Sequence, residues 1–177
     1  MLYNKKMDYK KKIPVYLYYE DIFREMDEEN IKYLLIGGVA VNLHGIPRAT
    51  GDIDMLIAME KKNVQKFVEI TKKLGLKPKI PVQASDLADS KKLKEWKKEK
   101  NMQVFSFIHP DNPYITIDIM TENYISFEQA YKRRKKTKAW GINVSVASIP
   151  DLIKLKEISG RTQDLADIEA LKKYGKK

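Results

Sequence analysis

Residues 34–57, LLIGGVAVNLHGIPRATGDIDMLI, decide the fold of this chain of 177 residues. The glycine pair Gly37 and Gly38 follows one apolar run, and the carboxylates Asp52 and Asp54 begin a second. Glycine lets a backbone come close to a phosphate group. Side chains two positions apart on an extended strand point to the same side. The stretch therefore predicts a phosphate site that is assisted by a metal ion.

A strand, a glycine break, a short helix and a second strand account for this stretch. We expect strands over 33–36 and 52–58, and between them a helix over 39–44 that Gly45 ends as a left-handed cap. Apolar periodicity and turn residues extend the pattern along the chain. The other predicted helices cover 18–29, 60–74, 127–136, 151–158 and 162–174, the other strands cover 104–108, 114–120 and 142–149, and 76–100 is expected to form a loop followed by a short exposed helix.

Strands that alternate with helices and then form a hairpin predict an α/β (α+β) fold, a mixed β-sheet flanked by helices. The length suits a single domain over residues 1–177. Within this domain we expect a basic N-terminal segment over 1–16 and closing helices over 150–175.

The composition indicates a soluble globular protein with a heavily charged surface, since 43% of the residues are hydrophobic and 33% are charged. The chain has no cysteine, so we expect no disulfide, no thiolate metal site and a cytoplasmic location. No apolar run reaches the roughly 20 residues that span a bilayer, and we expect no membrane association. The net charge of +10 attracts polyanions or phosphorylated ligands, or it reflects a solvated, lysine-rich surface.

Asp118 is a third candidate acid, in the segment ITIDIM of the predicted strand 114–120. Alternation places Ile117 and Ile119 on one face of that strand and Asp118 on the other. An acid in the middle of such a strand is rarely there for packing, although an exposed sheet face or a salt bridge would also explain it. Three carboxylates from two strands can bind two metal ions roughly 4 Å apart.

Together these motifs resemble the nucleotidyltransferase superfamily, which has the DNA polymerase beta fold. The family pattern is an apolar strand, a Gly-Gly or Gly-Ser pair, a short helix, an Asp-x-Asp motif and a later acid on a strand. The chain matches it in LLIGG, DID and ITIDIM. The segment GVAVNLHGIPRATGDID is most similar to nucleotidyltransferases of the abortive-infection (AbiEii) type, and DLIKLKEISGRTQDLADIEAL is similar to their closing helix. The likeness covers residues 30–57 closely and 112–171 more loosely.

The resemblance implies transfer of a nucleoside monophosphate from a nucleoside triphosphate such as ATP, with release of pyrophosphate. By this analogy Asp52 and Asp54 hold Mg²⁺ and the triphosphate. Asp118 holds a second Mg²⁺, for which Mn²⁺ is an alternative, and helps to deprotonate the acceptor hydroxyl. Gly37 and Gly38 contact the β and γ phosphates.

Three further residues are candidates for contact with the nucleotide. Arg48 and Thr50 lie just before the Asp-x-Asp motif and could touch phosphate or orient the acids, although Arg48 also fits an ordinary surface position. Lys156 matches the lysine of the family pattern, and Lys154 competes with it for that role. A lysine on a helix is also common on a solvated face.

Two clusters of charged residues have other interpretations. Arg161, Asp164 and Asp167 are expected to form an ion-pair cluster that fixes the last helix rather than acts in catalysis. The run YKRRKKTK at 131–138 is the best nucleic-acid patch, because Tyr131 could stack on a base while the arginines bind phosphates. An exposed basic helix end explains the same run.

The acceptor stays open between tRNA or another RNA, a protein and a small molecule. A homodimer or a partner protein could complete its site, and the abortive-infection type implies a link to toxin–antitoxin systems. A second class of function is a non-catalytic nucleotide- or RNA-binding module on the same fold. A glycosyltransferase that uses Asp-x-Asp is a third, which the preceding glycine pair disfavours.

Overall fold

The computed structural model describes residues 19–122 and 124–174 of the chain. The predicted basic segment at 1–16 therefore lies outside the described residues. None of the helices in the described ranges combines the length and apolar character that crossing a bilayer requires. The helices are α1 (Tyr19–Glu28), α2 (Gly37–Leu43), α3 (Lys61–Lys73), α4 (Ser90–Lys100), α5 (Phe127–Lys132), α6 (Ile149–Ser159) and α7 (Thr162–Tyr174), with a 3₁₀ helix at Ala84–Ala88.

Within these ranges seven strands form one mixed sheet in the order β3-β4-β5-β2-β1-β7-β6. The pairs β2–β5 and β1–β7 are parallel, and the other neighbours are antiparallel. This is the α/β architecture expected from the sequence. The strands are β1 (Tyr33–Ile36), β2 (Asp52–Ile57), β3 (Lys77–Pro78), β4 (Val104–His109), β5 (Asn112–Met120), β6 (Lys135–Ala139) and β7 (Ile142–Val146).

Alternation along the two central strands separates a core face from a site face. Ile53 pairs in register with Ile117, and both are fully buried. Asp54 pairs with Asp118 in the same register, and neighbouring residues on adjacent strands share a face. The sheet therefore packs its isoleucines into the core and presents its acids together on the opposite side.

Several predicted elements are confirmed by the structure. The strand at 33–36 and the helix at 162–174 have the predicted bounds. Gly45 and Gly75 follow their helices with φ of +86° and +73°, a conformation that glycine adopts without a Cβ clash. These helix ends fix where the chain turns back toward β2 and β3.

Residues 76–100 contain the predicted helix, which is exposed over most of its length, together with contacts and elements that were not predicted. The segment adds the edge strand β3 and the 3₁₀ helix, and α4 buries one face in the core. Trp96 is only 8% exposed, and its ring centroid lies 6.0 Å from that of Phe105. One buried tryptophan among six lysines gives almost no helical periodicity, which is why the sequence did not reveal this contact.

The predicted helix at 127–136 is wrong in its second half, because α5 ends at Lys132 and β6 begins at Lys135. β6 and β7 form a hairpin whose two turn residues, Trp140 and Gly141, have φ of +53° and +75°. Positive φ at both positions is the pattern of a type I′ turn, which matches the twist of paired strands. Pairing with β7 therefore overrides the low strand propensity of this lysine-rich segment.

Trp96→Ala tests the packing of α4. We expect the substitution to lower the free energy of unfolding by about 3 kcal/mol, since it removes a large buried side chain and leaves a cavity. Glu99→Ala, at an exposed position of the same helix, should change it by less than about 0.5 kcal/mol. Denaturant unfolding measures both values, and equal effects would contradict the packing described for Trp96.

Candidate active site

Asp54 and Asp118 form the centre of the candidate site. They are register partners on the parallel neighbours β2 and β5, and adjacent strands lie about 4.8 Å apart. Both side chains are half-buried, and Oδ1 of Asp118 is buried without a hydrogen-bond partner among the described residues. An unpartnered buried carboxylate oxygen is costly, and a cation between the two acids would relieve that cost.

The environment of Asp54 raises the pKa of its carboxyl to about 6. Burial is the largest cause, and the negative charges of Asp118 and Asp52 add to it. The positive charges of Arg161 and Arg48 oppose this rise. The strand pairing thus holds like charges together where water shields them poorly.

Asp52 lies at the exposed start of β2, opposite Thr116 of β5. In residues 19–122 and 124–174, no three acidic or histidine side chains converge closely enough to form a metal site as they stand. The Asp54–Asp118 pair still suits Mg²⁺, which proteins often hold through one or two carboxylates while substrate phosphates and water complete its shell. Asp52 borders this pair and adds negative charge to it.

Gly37 and Gly38 are required by close approach of side chains. A Cβ built on Gly37, whose φ is +64°, would lie 1.9 Å from Oδ2 of Asp54. A Cβ on Gly38 would lie 2.0 Å from Nη1 of Arg48 and 2.6 Å from Oγ1 of Thr50. The glycine pair therefore makes room for the acid on one side and for the loop before β2 on the other.

Arg48 and Thr50, in the loop before β2, lie directly against Gly38. Asn42 of α2 fixes this loop, because its side chain accepts a hydrogen bond from the Arg48 backbone N–H at 2.7 Å and donates one to the Arg48 carbonyl at 2.9 Å. The Arg48 guanidinium forms a 3.0 Å ion pair with Asp167 of α7. Its engagement with α7 means that Arg48 joins two segments of the chain.

Lys156 lies inside the molecule, whereas Lys154 is exposed. The Lys156 side chain is 6% exposed, and its ammonium pairs with Asp164 at 3.2 Å and with Asp167. Arg161 also pairs with Asp164, at 2.9 Å. The expected ion-pair cluster at the closing helices is thus confirmed, and it includes Lys156 as its central cation.

The hydrogen bonds in this cluster control the ionisation of Asp164. Burial acts to raise the pKa of its carboxyl, but hydrogen bonds from Arg161, Ser159 and Lys156 outweigh burial and lower that pKa to about 2. Asp164 is therefore charged throughout the physiological range and holds its cationic partners in place.

A cavity of about 360 Å³ opens beside the acid pair. The sheet forms one wall, and the end of α6 with the start of α7 forms the other. Sequence reasoning missed most of its lining, because no local motif marks Gln103 or Tyr124 and only the Ser159-Gly160 break signals the α6–α7 turn. The lining residues are Ile36, Gly37, Asp54, Gln103, Val104, Asp118, Met120, Tyr124, Leu155, Lys156, Ile158, Ser159, Arg161 and Asp164.

The basic run at 131–138 is not arranged as the sequence suggested. Tyr131 stacks on Phe127 with ring centroids 5.4 Å apart, and the Arg134 guanidinium lies 3.7 Å from the Tyr131 ring centroid. Arg133 pairs with the buried carboxylate of Asp151. These contacts engage Tyr131 and Arg133 within the protein, which weakens the case for base stacking at this position.

Comparison with known proteins bears on the family and the fold of the chain. The model of a family described as "Nucleotidyltransferase of unknown function (DUF6036)" matches residues 19–175. No curated protein matches the chain in sequence.

Solved structures of similar fold include several nucleotidyltransferases. The antibiotic-resistance factor ANT(2″)-Ia, in complex with adenylyl-2″-tobramycin, is 15% identical, with a TM-score of 0.55 over 86% of this chain and 84% of the other. The lincosamide antibiotic adenylyltransferase LnuA, bound to lincomycin, is 17% identical, with a TM-score of 0.55 over 88% and 97%. A candidate nucleotidyltransferase of Thermotoga maritima is 15% identical, with a TM-score of 0.54 over 88% of each chain.

These matches confirm the resemblance to the nucleotidyltransferase superfamily and its fold. They do not bear on the closer likeness to the abortive-infection type, which stays a prediction. The roles of individual residues also stay predictions, because structures of such low identity show the fold alone.

Alanine substitutions test the steric role of the glycine pair. We expect Gly37→Ala to destabilise the protein by roughly 1–3 kcal/mol, because the new methyl group meets the Asp54 carboxylate and φ is positive. Gly51→Ala is the matched control, since a Cβ there has no atom within 4 Å. Thermal unfolding compares them, and equal melting temperatures would contradict the close approach to Asp54.

Asp54→Asn tests the raised pKa of Asp54. The contribution of this carboxyl to stability is complete below its unfolded pKa of 3.8 and is lost as pH rises through the folded pKa of about 6. Without divalent metal, the wild type should therefore lose on the order of 2–3 kcal/mol relative to the variant between pH 4 and pH 7.5. Denaturant unfolding measures the free energy of unfolding of both proteins across this pH range. A difference between the two proteins that does not change with pH would refute the prediction.

Proposed function

We propose that this chain, which belongs to the nucleotidyltransferase family whose model matches residues 19–175, is an Mg²⁺-dependent enzyme. It moves a nucleoside monophosphate from a nucleoside triphosphate to an acceptor hydroxyl and releases pyrophosphate. ATP is the donor that the adenylyltransferases of similar fold suggest.

The pairing of Asp54 with Asp118 carries this proposal. Two half-buried acids are held in register on adjacent parallel strands, at the bend that Gly37 makes and beside a cavity. An arrangement that raises the pKa of Asp54 destabilises the protein at neutral pH unless a cation is bound. Destabilisation of this kind is expected where acids are placed to bind a ligand rather than to stabilise the fold.

In this proposal Asp54 and Asp118 hold the metal, and Asp52 at the rim contributes charge and further ligand oxygens. Bound Mg²⁺ would neutralise the phosphate charge and orient the α phosphate for displacement. Asp118 would also accept the proton of the acceptor hydroxyl, through the carboxylate oxygen that does not bind the metal. Gly37 and Gly38 would let the triphosphate approach the backbone closely.

The acceptor is proposed to be a small molecule that carries a hydroxyl group. Two proteins of similar fold were solved with adenylyl-2″-tobramycin and with lincomycin. The alternative of RNA has less support, because Tyr131 and Arg133 of the basic run are engaged within the protein.

Labelled nucleotides test the transfer reaction. The purified chain is mixed with Mg²⁺, each α-³²P-labelled nucleoside triphosphate and separate pools of small metabolites, RNA and protein, and label transfer and pyrophosphate release are measured. We expect transfer to the small-molecule pool. Asp54→Asn and Asp118→Asn should each reduce the rate at least about 100-fold.

Asp111→Asn is the control, because Asp111 is exposed in the β4–β5 turn, away from the cavity lining. Transfer that persists in Asp54→Asn would refute the catalytic proposal. Transfer to RNA or protein alone would refute the proposed acceptor class. Binding of Mg²⁺ and nucleotide without turnover in any pool would favour the non-catalytic binding module.

A further inference from the structure

Two cationic side chains line the cavity beside the acid pair, Lys156 and Arg161. A triphosphate carries more negative charge than one metal ion neutralises, so a cation from the protein is expected to contact it. The family resemblance assigns that contact to Lys156. The environments of the two side chains lead to a different assignment.

Lys156 is already neutralised within the protein. Its side chain is 6% exposed and pairs with two carboxylates, Asp164 and Asp167, both from α7. Moving the ammonium toward a ligand would leave two buried carboxylates with one cation fewer, which is strongly unfavourable. Lys156 is therefore held where it is.

Arg161 is placed differently, at the turn between α6 and α7 directly after Gly160. Its side chain is 72% exposed, and its Nε donates to Asp164 at 2.9 Å. Nη2 reaches the same carboxylate only at 3.5 Å, and no described residue accepts from Nη1. One edge of the guanidinium is thus fixed by Asp164, the other edge has no partner among the described residues, and the side chain lines the cavity.

Arg161 and Asp54 line the same cavity from opposite walls. A phosphate chain bound to a cation at Asp54 would therefore extend toward Arg161. A planar guanidinium with a free edge suits two phosphate oxygens at once.

We infer that Arg161 is the residue that binds the triphosphate and that Lys156 is a positioning residue that holds Arg161 in place. This inference rests on the proposed function. It reverses the roles that the sequence suggests, because it moves nucleotide contact from Lys156 to Arg161.

A continuous chain of ion pairs supports the positioning role. Lys156 bonds to Asp167, Asp167 bonds to Arg48, and Nη1 of Arg48 occupies the space that a Cβ on Gly38 would need. Lys156 also bonds to Asp164, which orients Arg161. The α6–α7 turn is thereby tied to the loop before β2, so the distance between Arg161 and the acids is fixed by buried contacts.

Binding of Mg²⁺–tripolyphosphate tests the role of Arg161 alone, because this ligand has no nucleobase and its binding needs no acceptor. Isothermal titration calorimetry compares the wild type with Arg161→Gln, Arg161→Lys and the control Lys98→Gln, which removes an exposed lysine of α4 away from the cavity lining. We expect Arg161→Gln to weaken binding about 10- to 100-fold, the usual effect of losing a charged hydrogen bond. Arg161→Lys should restore part of the affinity, and Lys98→Gln should bind as the wild type does.

Unchanged affinity in Arg161→Gln would overturn the inference and leave the proposed function standing. Failure of the wild type to bind both Mg²⁺–tripolyphosphate and Mg²⁺–nucleoside triphosphates would overturn both. The two failures are therefore distinguishable in one set of titrations.

A double-mutant cycle tests whether Lys156 acts through Arg161. We expect Lys156→Gln to weaken tripolyphosphate binding in the wild-type background and to add little in the Arg161→Gln background. If Lys156→Gln does not fold, Asp167→Asn is used in its place, since it weakens the ion pair between Lys156 and Asp167 while keeping the side-chain shape. Additive losses in the cycle would show that Lys156 contacts the phosphate itself and would overturn its positioning role.

Discussion

The repulsion between Asp54 and Asp118 is the constraint on which the rest of this structure depends. Two parallel strands in register place one carboxylate beside the other, and the isoleucines on the opposite face fix that register by their burial. Sliding either strand by one residue would expose the isoleucines and bury the acids in the core. The core thus supplies the free energy that keeps two like charges together.

The surroundings of the acid pair follow from this arrangement. Gly37 is needed because Asp54 leaves no room for a side chain, and Gly38 is needed because Arg48 and Thr50 leave none on the other side. The buried ion pairs of Lys156 then hold the closing helices over the acids. Precise placement of charged groups before a ligand arrives is the means by which phosphoryl transfer sites act, and here that placement is built from backbone approach and ion pairs.

Local patterns in the sequence account for much of the fold and for the acid pair. The strand before Gly37 is a continuous apolar run that a glycine pair ends, the last helix follows the Ser159-Gly160 break, and the alternation in DID and ITIDIM shows which face each acid takes. The partners of Lys156 could not be predicted, because they lie 8 and 11 residues away on another helix. The strand at Lys135–Ala139 was hidden for a related reason, since its conformation depends on pairing with β7 rather than on its own residues.

The lysine-rich strand β6 also affects how copies of the protein can associate. Among the described strands, β6 forms one border of the sheet, and the two-residue β3, which contains Pro78, forms the other. A border of like charges and a short border with proline both oppose the addition of a further strand from a neighbouring molecule. At high concentration these two borders should therefore resist growth of the sheet from molecule to molecule.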